Sequence, residues 1–132
     1  MDGVTKRWYK NGQKQVEAYY EDGSAIDMVV WNADGEKGSE LIDGNGVVEA
    51  WYENGQKSHQ SEYKDGKKHG VARVWFENGQ KANEGRYKDS KKEGQWFWWD
   101  EDGKLTSEEI WKNGKKIYLK EFFGGEVYEY EY

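Results

Sequence analysis

The sequence predicts an all-β fold, an elongated single-layer antiparallel β-meander of about five stacked hairpins followed by a C-terminal capping strand. Three observations predict it. Tryptophans recur at a fixed place in a repeating unit, glycines mark turns at short intervals, and the 132 residues contain no proline. The spacings of 20 to 24 residues suit a small supersecondary unit that buries its apolar face by stacking on its neighbours.

The first observation is a column of five tryptophans. Each stands four residues before the glycine of an Asn-Gly or Asp-Gly pair: Trp8, Trp31, Trp51, Trp75 and Trp99. A second aromatic column precedes the other turns, at Tyr20, Tyr63, Tyr87 and Trp111, with Leu41 at this place in the shorter second unit. These columns divide a single array, residues 1–132, into repeats at about 3–23, 24–44, 46–68, 70–92 and 94–116 and a cap at 117–132.

The glycines and the missing prolines define the strands. Turn glycines, or Ser90 in the fourth unit, recur every 9 to 13 residues, which leaves no stretch long enough for a stable helix. Proline cannot donate a hydrogen bond to a ladder, so its absence fits a chain in which every strand must pair.

The third unit shows the predicted hairpin most clearly. Residues 47–53 are rich in β-branched and aromatic side chains and lead into Asn54-Gly55. Asn-Gly between two such runs predicts a two-residue type I′ loop. That loop would place Trp51 opposite Ser58, and the other tryptophans opposite Gln15, Gly38, Ala82 and Thr106.

Counting back from a two-residue loop at Asn78-Gly79 in the same way places Arg73 opposite Glu84 as a cross-strand ion pair. A three-residue loop with a bulge would shift this register. In a single layer the tryptophans would line one face, and the residues that follow them would line the other: Tyr9, Asn32, Tyr52, Phe76 and Asp100.

The tail completes the array. Within residues 126–132 tyrosines stand at every second position, 128, 130 and 132, with glutamates between them, which predicts an edge strand with a tyrosine face. Its glutamates would discourage edge-to-edge aggregation, and we interpret the tail as a cap.

Composition limits the classes of function. Eight tryptophans, ten tyrosines and four phenylalanines supply a thin core of rings despite 35% charged residues. The absence of cysteine excludes disulfides and thiolate metal sites, and the net charge of −6 argues against nucleic acid or an anionic membrane as the main partner. The start of the chain lacks the basic and apolar regions of a signal peptide, so we expect a cytoplasmic protein unless an export leader was removed.

The residues give little support for catalysis. No nucleophile motif or phosphate loop is present, and we interpret His59 and His69 as surface positions. We interpret the acidic stretch 100–102 as a solvated turn, and the stretch 43–46 as a tight connection, rather than as cation sites. The sequence therefore predicts a protein that is not an enzyme, with no cofactor and no metal.

Two features are candidates for binding. Lysines recur at one set of turns, where they would either engage phosphates or an acidic protein, or keep a thin sheet soluble: Lys67, Lys68, Lys91, Lys92, Lys115 and Lys116. The cluster Trp96, Phe97, Trp98 and Trp99 would present rings on both faces, either as an interface or repacked under the tail. Tyr52 and Phe76, which follow tryptophans, complete the candidates.

The segments 46–57 and 70–81 share the pattern Gly-x₄-Trp-aromatic-x-Asn-Gly-Gln-Lys. This pattern resembles the MORN-repeat variant of bacterial proteins labelled YwqK-like antitoxins. The resemblance runs from about Gly3 to Gly114 and is weak in the second unit. It implies an elongated meander of stacked hairpins, and it implies roles such as antitoxin, immunity protein or scaffold.

We therefore predict a non-catalytic protein-binding module, an antitoxin or immunity protein that neutralises a toxin by covering its surface. One alternative is an aromatic-lined repeat that binds choline or glycans. Another is a scaffold or membrane role through the lysine edge. The sequence leaves the partner and the oligomeric state open.

Overall fold

The structure, a computed structural model, describes residues 2–132, and all regular elements in this range are antiparallel strands. The twelve strands are β1 (Gly3–Trp8), β2 (Lys14–Glu21), β3 (Ser24–Trp31), β4 (Lys37–Leu41), β5 (Gly46–Trp51), β6 (Lys57–Lys64), β7 (Lys67–Trp75), β8 (Lys81–Lys88), β9 (Lys91–Trp99), β10 (Leu105–Lys112), β11 (Lys115–Phe123) and β12 (Glu126–Glu131). The predicted all-β meander of hairpins is confirmed. Within residues 2–132, no helix has the length and apolarity to span a bilayer.

Two kinds of turn alternate along the meander. The turns after the second aromatic column are two-residue loops with both residues at positive φ, as in Asp65 at 52° and Gly66 at 81°. This is the type I′ geometry that suits the twist of the flanking strands. Ser90 adopts a φ of 69° in the equivalent place, so it replaces the glycine without changing the turn.

The Asn-Gly turns differ from the predicted type I′ loop. The backbone N–H of Tyr52 donates to the carbonyl of Gln56 over 2.8 Å, which closes a three-residue loop in which only Gly55 has a positive φ. The Asn54 side chain explains this choice, because its Oδ1 accepts from the N–H of Gln56 over 2.9 Å. That bond holds the asparagine in the ordinary φ range and leaves the glycine to close the loop.

A bulge beside each tryptophan follows from the longer loop. Trp51 pairs with Lys57, while Ala50 pairs with His59, so Ser58 is the extra residue in its strand. The prediction that Trp51 faces Ser58 was therefore wrong by one residue, as were those for the other four tryptophans, which do not pair with Gln15, Gly38, Ala82 and Thr106.

Beyond the bulge the predicted register holds. Arg73 pairs with Glu84, and its Nε lies 3.4 Å from the Glu84 carboxylate. The bulge absorbs the extra loop residue, so the register is shifted only in the last pair before the turn.

The ribbon is divided into two sheets at the short second unit. Strands β1–β4 form one sheet and β5–β12 the other, and a single bridge between Ile42 and Asn45 joins β4 to β5. The Ser39 hydroxyl donates to the carbonyl of Glu49 over 2.8 Å and accepts from its N–H over 2.9 Å. A side chain thus supplies the hydrogen bonds that a ladder would make.

The four-stranded sheet folds back over the start of the eight-stranded sheet. The core cluster of Ala18, Ala25, Met28, Val30 and Leu41 is covered from the other sheet by Val48, Ala50, Trp51 and Tyr63. At one edge, the hydroxyl of Tyr9 lies between the carbonyl of Trp31, at 2.8 Å, and that of Trp51 in the other sheet, at 3.2 Å. We call the face of the large sheet that carries Ala50, His59 and Ala72 the inner face, and its opposite the outer face.

The cover ends part of the way along the large sheet. Of the eight buried apolar residues in the range 2–132, six precede β5 and only Ala72 and Trp96 lie in the eight-stranded sheet. The most extensive strand-to-strand contacts between the two sheets are those of β3 and β4 with β5. The inner face of β8–β12, which we call the open face, has no second layer above it within residues 2–132.

Neighbouring units are joined at the Asn-Gly turns. The Asn54 side-chain amide donates to the carbonyl of Glu77 over 2.9 Å, and Asn11 and Asn78 make the same bond to their next units. The Tyr52 hydroxyl donates to the carbonyl of Trp75. These bonds fix the spacing of successive hairpins at the turns, where the ladder has ended.

Candidate interaction surface

The aromatic cluster of β9 divides between the two faces as the alternation predicts. Trp98 pairs with Asn83 and Ser107, and with Trp96 it lies on the inner face. Phe97 and Trp99 lie on the outer face, with ring centroids 6.0 Å apart. The cluster therefore contributes two separate surfaces.

Trp96 is the anchor of the open face. Its indole lies flat over Gly85, where a Cβ atom would come within 2.0 Å of the ring. Only 2% of Trp96 is exposed, its Nε1–H donates to the carbonyl of Arg86 over 3.2 Å, and Tyr87 meets it edge-on at 5.1 Å between centroids. The missing side chain at Gly85 thus makes room for a ring.

Lys92 lies among three tryptophan rings. Its Nζ is 4.9 Å from the centroid of Trp96, 5.4 Å from that of Trp98 and 4.6 Å from that of Trp111. These distances lie within cation–π range. The protein thus fills an aromatic cage with its own ammonium group.

Glu109 joins this cage to the next unit. Its carboxylate accepts from the indole N–H groups of Trp98 over 3.1 Å and Trp111 over 2.9 Å, and Lys116 Nζ lies 3.5 Å away. Burial alone would raise the pKa of Glu109, but the bonds from Trp111 and Trp98 and the charge of Lys116 together lower it. Glu109 is therefore an ionised acceptor that orients two rings.

The six candidate lysines split into two rows. Lys68, Lys92 and Lys116 are half-buried and extend over rings of the second aromatic column, as Lys68 does over Tyr87 at 5.2 Å. Burial lowers the pKa of Lys68. The other row is exposed at the turns: Lys67, Lys91 and Lys115. Of the six candidates, three are thus exposed at the basic edge, and the other three belong to the inner face.

The outer face has a ladder of its own. The Nζ of Lys81 lies 5.7 Å from the Trp99 ring and forms an ion pair with Glu84, and Lys57 lies 5.7 Å from the Trp75 ring. Lysine stems and carboxylates therefore cover much of the ring surface there.

The candidates Tyr52 and Phe76 lie at the Asn-Gly turns and are both half-buried. Tyr52 bonds the next unit through its hydroxyl, and burial, followed by the charge of Glu77, raises its pKa. Phe76 has no hydroxyl, and its N–H closes its own loop with Gln80 over 2.8 Å. The structure places both residues in contacts between and within units, away from the open face.

The open face ends in exposed tyrosines. Tyr130 is 45% exposed and Tyr132 70% exposed, and Lys116 Nζ is 5.9 Å from the Tyr132 ring. Phe123, at the last turn, is 77% exposed. Rings, hydroxyls and lysines therefore form one continuous surface from Tyr87 to Tyr132.

Sequence reasoning missed three members of this surface as binding candidates: Tyr87, Glu109 and Trp111. The second aromatic column was the available signal for Tyr87 and Trp111, because it shares a face with the lysines that follow it. Glu109 carries no such signal, since it is one of 26 acidic residues. Among residues 2–132 no group of three His, Asp or Glu side chains is arranged to hold a metal ion.

A family model described as the MORN repeat variant matches residues 1–22, 45–65, 68–89 and 92–113, about two thirds of the chain. The unmatched stretch between the first two matches is the short second unit, where the ribbon divides. A search of curated proteins gave no match.

Three solved structures show a remote likeness. A crystal structure of TarM has a TM-score of 0.39 at 11% identity over 86% of this chain and 20% of that chain. The GtfA/B complex bound to UDP and GlcNAc has a TM-score of 0.28 at 12% identity, over 97% of this chain and 24% of that one. Accessory secretory protein 1,2 and 3 of Streptococcus pneumoniae has a TM-score of 0.26 at 11% identity, over 92% and 19%. The chain spans a quarter or less of the length of these proteins.

Proposed function

Because the chain belongs to the MORN repeat variant family, a family of repeat-based binding and scaffold modules, we propose that it is a non-catalytic protein-binding module whose contact surface is the open face. The observation that carries the proposal is a continuous aromatic surface that no second layer covers within residues 2–132. Such a surface on a small, highly charged protein is typical of an interaction site.

The chemistry of the open face suits a protein partner. Protein interfaces are enriched in tryptophan, tyrosine and arginine at the centre, with polar groups around them. Trp98 and Trp111 are held in place by Glu109, so little conformational freedom would be lost on binding. Tyr130 and Tyr132 add rings with polar tips at one end of the surface.

The finer proposal is an antitoxin or immunity protein that binds a toxin and covers its active surface. It is supported by the resemblance of segments 46–57 and 70–81 to the antitoxin-labelled repeats and by the net charge of −6, which favours a basic partner. Neutralisation by covering needs only a complementary surface and no catalytic group.

The open face argues against the alternative of a choline- or glycan-binding array. The rings that would form a cage are Trp96, Trp98 and Trp111, and Lys92 already lies among them. A small cation would have to displace a tethered one. Lys68 and Lys116 likewise extend over rings, which leaves a membrane fewer free charges than the sequence suggests.

Binding to the protein encoded by the neighbouring gene tests the proposal, with growth rescue in cells that express both proteins. The double variant Tyr130→Ala, Tyr132→Ala removes exposed rings from the open face, and Trp75→Ala on the outer face is the control. We expect the double variant to weaken the dissociation constant by about tenfold or more, as loss of anchor residues does, and the control to change it little.

Two results would count against the proposal. If the neighbour-encoded protein does not bind, the antitoxin role fails. If it binds but only the outer-face variant weakens the complex, the module binds protein through a different surface.

A further inference from the structure

A cleft lies between the two sheets where the four-stranded sheet covers the large one. Its volume is about 310 Å³, and residues of β1, β2 and β3 line one wall while residues of β5, β6 and β7 line the other. The cleft adjoins the open face at Lys68, whose Nζ lies 5.2 Å from the Tyr87 ring. The residues that line the cleft all precede β8, so a ligand bound there does not rest on the proposed function.

The deeper part of the cleft is apolar. Val16, Ala18, Met28 and Val30 form one wall, and Val48 faces them from the large sheet. Ala18 and Val30 are 2% and 1% exposed. A hydrocarbon chain entering here would leave water for a preformed apolar wall.

Three basic side chains line the same cleft: Arg7, His59 and Lys68. All three side chains line one cleft, where Arg7 and His59 are exposed and Lys68 is half-buried. Partial desolvation, followed by the charges of Lys68 and Arg7, lowers the pKa of His59. No aspartate or glutamate lines this cleft, and within residues 2–132 neither Arg7 nor Lys68 forms an ion pair. Positive charge is therefore concentrated beside an apolar wall without a carboxylate to balance it.

A second cavity adjoins the cleft, and its charges restrict where a bound anion could lie. It shares Arg7, Val16, Ala50 and His59 with the cleft but is lined at its far end by Glu53 and Glu77. Two carboxylates there would repel an anionic head group. The favourable position for a negative charge is thus the junction of Arg7, His59 and Lys68.

We propose that this cleft binds a small amphipathic carboxylate, with its head group between Arg7 and Lys68 and its hydrocarbon chain against Val16, Ala18 and Val30. Arginine can bind a carboxylate through two parallel hydrogen bonds, which sets the orientation of the head. A cleft of about 310 Å³ is at the small end of ligand sites. It therefore fits a single medium-length chain rather than a two-chain lipid.

Calorimetry with octanoate tests the proposal, and three probes separate the contributions of charge and chain. Acetate has the head group alone, octan-1-ol has the chain without the charge, and octylamine has the opposite charge. We expect saturable octanoate binding and at least tenfold weaker binding of all three comparison compounds. Chemical shifts of the Ala18 and Val30 amides should move with octanoate, which places the ligand in the cleft.

Adjacent lysines supply a matched pair of variants. Lys68→Gln should weaken octanoate binding about fivefold or more, whereas Lys67→Gln, which removes the same charge from an exposed neighbour, should change it less than twofold. Arg7→Gln should act like Lys68→Gln.

Several outcomes would overturn the proposal. Equal binding of octan-1-ol would show an apolar pocket with no anion site, and equal effects of Lys67→Gln and Lys68→Gln would show unspecific attraction. Shifts confined to the open face would place the ligand elsewhere. If vesicles containing phosphatidylglycerol bind and octanoate does not, a membrane surface is the ligand and the cleft is not.

Discussion

The two ends of the large sheet bury the same repeat in different ways. Under the four-stranded sheet, the inner face carries small aliphatic side chains such as Val48 and Ala50, which a second layer covers. At the other end, the equivalent positions two units later are Trp96 and Trp98, which Lys92 covers in place of a second sheet. One backbone pattern thus supports a two-layer core at one end and a self-covering layer at the other.

A single position followed through three units shows the trend. The residue before each tryptophan of the first column is Ala50, then Val74, then Trp98. The side chain at this position is larger in units that lie farther from the covering sheet. A ring that lies across neighbouring strands can shield backbone that no second layer protects. Side-chain volume therefore compensates for a missing layer.

The largest test of this comparison is to remove a leucine from each end. Leu41→Ala should lower the free energy of unfolding by about 2–4 kcal/mol. Leu41 is 1% exposed in the two-layer core, so the substitution leaves a cavity that neither sheet can fill. Leu119 lies on the open face and is only half-buried, so Leu119→Ala should cost about 1 kcal/mol or less. Urea unfolding measures both, and equal losses would contradict the contrast between the two ends.

The second test adds one methyl group beneath a tryptophan at each end. Gly38 lies under Trp51 at the junction of the sheets, and Gly85 lies under Trp96, with an added Cβ within 2.1 and 2.0 Å of the rings. Neither glycine has a positive φ, so alanine acts by overpacking alone and should cost about 1–3 kcal/mol.

The two alanine variants should differ in what moves. Gly38→Ala should separate the sheets and increase hydrogen exchange at the Glu49 amide, which Ser39 protects. Gly85→Ala should leave that amide protected and change the tryptophan fluorescence. An unchanged Glu49 exchange rate in Gly38→Ala would show that Trp51 does not hold the junction.

The sequence predicted the strands, the alternation of β9 and the Arg73–Glu84 pair, because these depend on local period and on turn position. It missed the three-residue loop, since the competing bond from the Asn54 side chain to Gln56 is not visible in an Asn-Gly dipeptide. It also missed the fold-back of the first four strands. That depends on a weak junction at Ile42 and Asn45, where ladder pairing gives way to side-chain bonds.

The candidate site was predicted in part for a related reason. Ring positions follow from alternation, but the destination of a long lysine side chain does not. Lys91 and Lys92 are adjacent in the same motif, yet only Lys92 lies on the inner face with the rings. The alternation of side chains along β9 distinguishes Lys91 from Lys92 once the turn before the strand is known. That turn type was learned from the structure.

The third test concerns the acid end of the pH range. Because the pKa of Glu109 is lowered in the folded protein, its contribution to stability is fully present above the unfolded value of about 4.3 and is lost as the pH falls through the folded value. Glu109→Gln keeps the shape but removes the charge, so we expect a loss of about 1 kcal/mol at pH 7 and a smaller loss at pH 3.

Urea unfolding at both pH values measures this difference. Glu101→Gln, which changes an exposed carboxylate in the turn after β9, is the control and should change neither value measurably. A Glu109→Gln loss that is equally large at pH 3 would mean that Glu109 acts through packing, without a contribution from its charge.

The smallest expected effect comes from emptying the aromatic cage of the open face. Lys92→Ala removes an ammonium group from three rings on a partly exposed surface, so the loss of stability should be about 1 kcal/mol or less. The informative change is in binding: choline at millimolar concentration should shift the tryptophan fluorescence of Lys92→Ala while leaving the natural protein unchanged. Lys92→Met, which refills the cage without a charge, should be as unresponsive as the natural protein. A choline response in the natural protein would instead mean that Lys92 leaves the cage readily, and the open face would then belong to a ligand-binding array.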